Sequence, residues 1–138
     1  MTVRDIAARA HGDTPGAGTE AARNGLATPV VLDLDSNGTS DRVYAGDLLG
    51  NLWAFDLTGS TPDVAYKQGT TPRPLFTAAT GQPITTKPVV ARNTSVSPST
   101  STEPNILVFF GTGQYLVTAD VTSTTQQSFY GVWDHGTR

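Results

Sequence analysis

The chain has 138 residues, 37% hydrophobic and 15% charged, which suits one globular domain with a modest core and excludes a wholly disordered chain. A net charge of −3, with Arg and Lys scattered singly, excludes broad electrostatic binding to nucleic acid. The longest strongly apolar run, Ile106 to Phe110, is too short to cross a bilayer, and the absence of Cys removes disulfides and thiolate metal sites.

Residues 1–27 are rich in Ala, Gly and charge and read as a flexible segment or one short helix at Thr19 to Asn24, capped by Thr19 and ended by Gly25. Residues 1–12 lack an apolar centre, so no signal peptide is expected in this chain. From Thr28 the pattern changes to short apolar runs rich in Val, Thr and aromatics, broken by Gly and Pro, and an all-β class follows. A first set of strands is expected at Pro29–Leu32, Arg42–Gly46, Asn51–Leu57 and Pro74–Thr77, and a second at Thr86–Val90, Asn105–Gly111, Gln114–Val117 and Phe129–Asp134.

The two sets read as imperfect copies. Pro29-Val30-Val31 matches Pro88-Val89-Val90, and Tyr44-Ala45-Gly46-Asp47 matches Phe110-Gly111-Thr112-Gly113 after a shift. Residues 93–104, rich in Ser, Thr and Pro, account for the shift as an exposed insertion. Repeated four-stranded antiparallel units with aromatic and Gly marks are the pattern of β-propeller blades, which divides the chain into an N-terminal segment 1–27, a blade 28–78 and a second blade 79–138. Two blades without neighbours leave sheet faces open, so self-association through those faces is expected.

Between the first two strands lies Asp33-Leu34-Asp35-Ser36-Asn37-Gly38-Thr39-Ser40-Asp41. Asp33, Asp35, Asn37 and Asp41 stand at loop positions 1, 3, 5 and 9, Gly38 at 6, and Thr39 offers its carbonyl at 7, which is the ligand order of an EF-hand calcium loop. Alternate residues of a tightly curled loop can all point inward, and a hard divalent cation wants six to eight oxygens. Position 12 is Tyr44 rather than a bidentate Glu, and the flanks read as strands, so the expectation is a calcium loop of moderate affinity on a β scaffold. The rival reading is an Asp- and Asn-rich hairpin turn held by side-chain to backbone hydrogen bonds.

The run from Asp33 through Arg42-Val43-Tyr44-Ala45-Gly46-Asp47-Leu48-Leu49-Gly50-Asn51-Leu52-Trp53-Ala54-Phe55-Asp56-Leu57 resembles the β-propeller domain of the PilY1/PilC family of type IV pilus tip adhesins. Phe110 to Leu116 and Phe129 to Asp134 are similar too, so the resemblance covers about residues 28–134, with residues 1–27 outside it. It implies about two blades of a larger propeller, in a parent protein at the cell surface or fimbrium, acting in pilus biogenesis, pilus extension and retraction, twitching motility and adhesion. It implies partners among pilus components such as minor pilins, or a host or surface ligand. It also implies calcium on Asp33, Asp35, Asn37 and Asp41 through their side chains and on Thr39 through its carbonyl.

Other readings stand beside it. Val43 to Leu57 also resembles the repeat of quinoprotein dehydrogenases, which makes a structural fragment of such a propeller the alternative. Catalysis is not expected, because His11 and His135 lie in separate loops and no nucleophile, base and acid grouping is legible. Trp53, Phe55, Tyr130 and Trp133 offer aromatic faces for a carbohydrate-binding module, but all four are expected as interblade core, since alternation puts Trp53, Phe55 and Leu57 on one strand face. Asp47, Asp56 and Asp134 sit at turns and strand ends, where a structural hydrogen-bonding role is expected.

Overall fold

Short β-prone runs bounded by Gly, Pro and Asp set the strands of this chain, and the computed structural model describes residues 18–19, 22–96, 100 and 102–136. The early strands are β1 (Gly18–Thr19), β2 (Ala22–Arg23), β3 (Val30–Leu32), β4 (Arg42–Gly46) and β5 (Asn51–Asp56). Four two-residue strands follow, β6 (Asp63–Val64), β7 (Lys67–Gln68), β8 (Thr71–Pro72) and β9 (Phe76–Thr77). The last three are β10 (Val89–Arg92), β11 (Ile106–Gly111) and β12 (Phe129–Asp134). The class is all-β and every ladder between strands is antiparallel.

The first sheet runs β3-β4-β5, and its fourth position is filled in two pieces. Val64 lies opposite Phe55 and Phe76 opposite Leu52. Between those pieces the chain leaves the sheet as the β7–β8 hairpin, turning at Gly69 with φ 63°. The second piece falls within the expected Pro74–Thr77 strand, while the first, Asp63–Val64, has too short an apolar run to be expected. The second sheet has three strands, in the order β10-β11-β12.

Two expected elements are replaced. Gln114–Val117 forms no strand, because the Asp120 carboxylate takes the N–H groups of Leu116 and Val117 at 2.7 and 2.9 Å and the Gln114 amide at 2.9 Å. Those backbone donors are spent locally, and a 3₁₀ helix, Thr118–Thr122, follows. The short helix expected at 19–24 gives way to the β1–β2 ladder, with residues 20 and 21 outside the described residues. Beyond it, Ala27 donates to Gly46 and Leu48 to Gly25, so residues 25–27 already belong to the first sheet's turn. In the insertion, Thr94, Ser95, Val96, Thr100, Thr102 and Glu103 are exposed as expected, while Pro104 is buried.

The ladders carry the repeat through the fold. Val30 lies opposite Tyr44 and Tyr44 opposite Ala54, as Val89 lies opposite Phe109 and Phe109 opposite Gly131. Tyr44 therefore matches Phe109, one residue from the match made in sequence, and in a strand one residue exchanges the two faces. Phe110 and Val108 take the places of Ala45 and Val43. They face the first sheet, so the two sheets stack in the same orientation, as successive blades do. Between them lies a core of Leu34, Tyr44, Leu52, Ala54, Tyr66, Leu75, Ile84, Ile106, Val108, Phe110 and Val132. A second core of Val43, Ala45, Trp53, Phe55 and Val64 covers the other face of β4 and β5, with Leu57 beside it. Trp53 and Phe55 are thus core, at 2% and 0% exposed, and Tyr130 packs half-buried against the core between the sheets. Trp133, expected as core too, is 43% exposed, because alternation along β12 turns it to the face opposite Val132.

At the seam between the sheets is a buried polar cluster. The Asp134 carboxylate accepts from the Tyr44 hydroxyl at 2.6 Å and from the Tyr66 hydroxyl, and the Arg42 guanidinium pairs with it at 3.5 Å. Arg42 also lies over the Tyr66 ring. Removing one partner of a buried carboxylate leaves it short of a donor, at about 1–3 kcal/mol. Asp47 plays a comparable role in the β4–β5 turn, accepting from Leu49 and Asn51 N–H, the Asn51 and Asn24 amides and the Trp53 indole. Gly46 is required beside it, because a Cβ there would sit 2.1 Å from the Ile84 side chain.

Burial, and after it the Asp134 charge, push the Tyr44 hydroxyl far above the ordinary tyrosine value of 10.0. A raised folded value means that this contribution to stability is complete below pH 10 and erodes as pH rises above it, because the unfolded chain ionises there first. Tyr44→Phe should therefore lower stability by about 1–3 kcal/mol at neutral pH, read by denaturant unfolding. The decline of stability above pH ~10 should be shallower in the variant than in the wild type; parallel declines would refute the assignment.

Candidate metal centre

The loop joining β3 to β4 curls because its own carboxylates collect its backbone donors. Asp33 accepts from the N–H of Ser36 at 2.6 Å, Asn37 at 3.2 Å and Gly38 at 2.8 Å. Asp35 accepts from Asn37 N–H at 3.1 Å. Ser36 and Gly38 take positive φ values of 64° and 88°, the left-handed backbone conformation that tight turns use. At the far end Asp41 donates its N–H to the Leu32 carbonyl, and its carboxylate accepts from Leu34 N–H at 2.7 Å.

These bonds bring Asp33, Asp35 and Asp41 together, with one carboxylate oxygen of each within 4.8 Å of the others. Oxygens bound to one calcium ion, each at about 2.3–2.6 Å, span distances of this order, so the set fits a hard cation. Asn37 lies in the same turn, its amide donating to Asp35 at 2.9 Å and its oxygen accepting from the Thr39 N–H at 2.8 Å. Thr39 enters through its N–H and its hydroxyl, which also donates to Asn37; the role of its carbonyl rests on the sequence pattern. Tyr44, at position 12, is committed to Asp134 and takes no part.

Asp33 is half-buried, Asp35 exposed and Asp41 buried. The Gly38 N–H above all, with those of Ser36 and Asn37, holds the Asp33 carboxyl below the ordinary 3.8. A cleft of about 640 Å³ opens beside Asp35, Asn37, Thr39 and Asp41, and another of about 480 Å³ lies between the loop and Arg92, Asn93, Thr94 and Val96. Arg92 donates to the Leu34 carbonyl, a contact that no spacing in the sequence announces. Of the other residues singled out, Asp56 caps Thr58 and His135 packs beside Trp133, while His11 lies outside the described residues.

The profile of the PilY1 beta-propeller domain matches residues 14–138, nearly the whole chain. The chain belongs to that family. The match reaches back beyond residue 28, so part of the N-terminal segment shares a likeness expected only over about 28–134. A PilY1 homologue of Xylella fastidiosa, titled a type IV pilus biogenesis factor, is 38% identical over 117 residues, covering 82% of this chain and 8% of that protein. The PilY1 type IV pilus biogenesis factor of Pseudomonas aeruginosa strain UCBPP-PA14 is 35% identical over 140 residues, covering 83% of this chain and 12% of that one. The crystal structure of the Pseudomonas aeruginosa PilY1 C-terminal domain superposes with a TM-score of 0.66 at 32% identity, over 87% of this chain and 28% of that chain. The PilY1 family chain described here therefore spans about a tenth of those two relatives and carries a β-propeller segment. No helix among its described residues is long and apolar enough to cross a membrane.

In metal-free buffer Asp41→Ala should lower stability by about 1–2 kcal/mol, because Leu34 N–H loses its acceptor, and Asp41→Asn should lose less. Denaturant midpoints in EGTA check this. Since the folded value of Asp33 is depressed, its contribution stands above pH 3.8 and fades as pH falls below it. The Gly38 amide shift should accordingly titrate below that pH; a midpoint at or above it would contradict the hydrogen-bond pattern.

Proposed function

We propose that this chain is a calcium-binding segment of the β-propeller of a type IV pilus biogenesis factor, located at the cell surface or fimbrium and acting in pilus extension, retraction and surface attachment. The observation that carries the reading is the convergence of Asp33, Asp35 and Asp41 in a chain of this family. These three carboxylates, with the Asn37 oxygen and the Thr39 carbonyl, hold the ion, and water completes its shell. Bound calcium supplies the positive charge that three neighbouring carboxylates lack, so the loop joining β3 to β4 holds one arrangement instead of several. Three charged ligands and no bidentate Glu place the affinity in the range of about 10⁻⁶ to 10⁻³ M. The partners are pilus components such as minor pilins, or a surface ligand, met by the parent protein.

Titration calorimetry with calcium should give a saturable heat for the wild type that Asp35→Asn largely removes. Asp35 is exposed and outside the core, so this variant keeps its fold. Equal heats in both proteins would sink calcium binding at this loop. In a piliated bacterium, the same substitution in the full-length parent should change the number of surface pili; unchanged pili with calcium binding lost would remove the regulatory role.

A further inference from the structure

The acidic loop is not confined to the first sheet, because Leu34 inside it is held from three sides. Its N–H is capped by Asp41, its side chain is 3% exposed in the core between the sheets, and its carbonyl accepts from Arg92. Arg92 closes β10 of the second sheet, opposite Ile106. The next amide, Asn93 N–H, donates to the Asn105 carbonyl at 2.9 Å and ends the ladder. A continuous path thus runs from a candidate ligand, Asp41, through one residue of the loop to the end of a strand in the other sheet.

Without a counter-charge, Asp33, Asp35 and Asp41 repel, and the loop is drawn toward more open arrangements. Opening would move Asp41 from the Leu34 N–H, and with it the carbonyl that Arg92 holds. A cation that removes the repulsion fixes both. We propose that Arg92 couples the loop to the second sheet: a divalent cation on Asp33, Asp35 and Asp41 tightens the end of β10, and a tightened β10 favours the cation-bound loop. Binding free energies are reciprocal in this way whenever two sites share one ordered element. This inference rests on the calcium reading above. Affinity at the loop mixes the ion's own contacts with any coupling, so affinity alone does not report the coupling. The order of β10 does.

The test is amide hydrogen exchange on the chain with EGTA and with saturating calcium, read at Gly38 in the loop and at Asn93 beyond β10. In the wild type both amides should slow with calcium, Asn93 by roughly fivefold. Arg92 is exposed, so Arg92→Ala leaves the core intact; there Gly38 should still slow while Asn93 no longer does. Arg92→Lys, which keeps a charged donor group without the guanidinium fork, should restore part of the effect. Slowing at Gly38 with Asn93 unchanged in the wild type would overturn the coupling and leave calcium binding standing. Equal slowing of Asn93 in Arg92→Ala would overturn the role of Arg92. No response at either amide would overturn the calcium reading and the coupling with it.

Discussion

The Asp134 carboxylate is 0% exposed, and the donors that make its burial tolerable come from elsewhere in the chain. Tyr44 and Arg42 reach it from β4, and Tyr66 from the excursion that interrupts the fourth strand position. An unpaired charge in such a place costs several kcal/mol, so any slide of one sheet along the other that separates Asp134 from these groups is strongly disfavoured. Apolar contact between Tyr44, Val108 and Val132 brings the sheets together, but it is non-directional. The polar cluster supplies direction. It fixes the second sheet at the height that brings Arg92 to the acidic loop.

The acidic loop satisfies two descriptions at once. Its Asp33, Asp35 and Asp41 side chains hold backbone N–H groups, as in any Asx-rich turn, and those same bonds aim the carboxylates at one point. The turn is therefore what preorganises the cluster. Charge marks the difference between the two descriptions, since a turn needs acceptors but has no use for three negative groups side by side.

Much of this was legible in the chain. The alternation in Asn51-Leu52-Trp53-Ala54-Phe55 gave the strand and both of its faces, Pro29-Val30-Val31 and Pro88-Val89-Val90 marked equivalent strands, and the spacing of Asp33, Asp35 and Asp41 named the cluster. Other features were not, for reasons that can be stated. Tyr115-Leu116-Val117 has the composition of a strand, but Asp120 competes for its amides, and composition does not reveal such competition. The match of Tyr44 to Phe110 missed by one because both neighbours at each site are apolar, and only ladder partners separate them. Arg92 is an ordinary cation closing an apolar run; its meaning lies in a contact 58 residues away.

The broken fourth strand has a consequence for how such a sheet varies. An interruption on an edge is commonly a tolerant place, where chains gain and lose hairpins with little effect on the fold. Here the excursion between β6 and β9 carries Tyr66, whose hydroxyl belongs to the Asp134 cluster. Trimming the hairpin to regularise the first blade would take a donor away from a carboxylate in the second. The two blades are thus separate along the chain but share parts in space, and a graft or domain boundary drawn by sequence repeat alone would cut through a working joint.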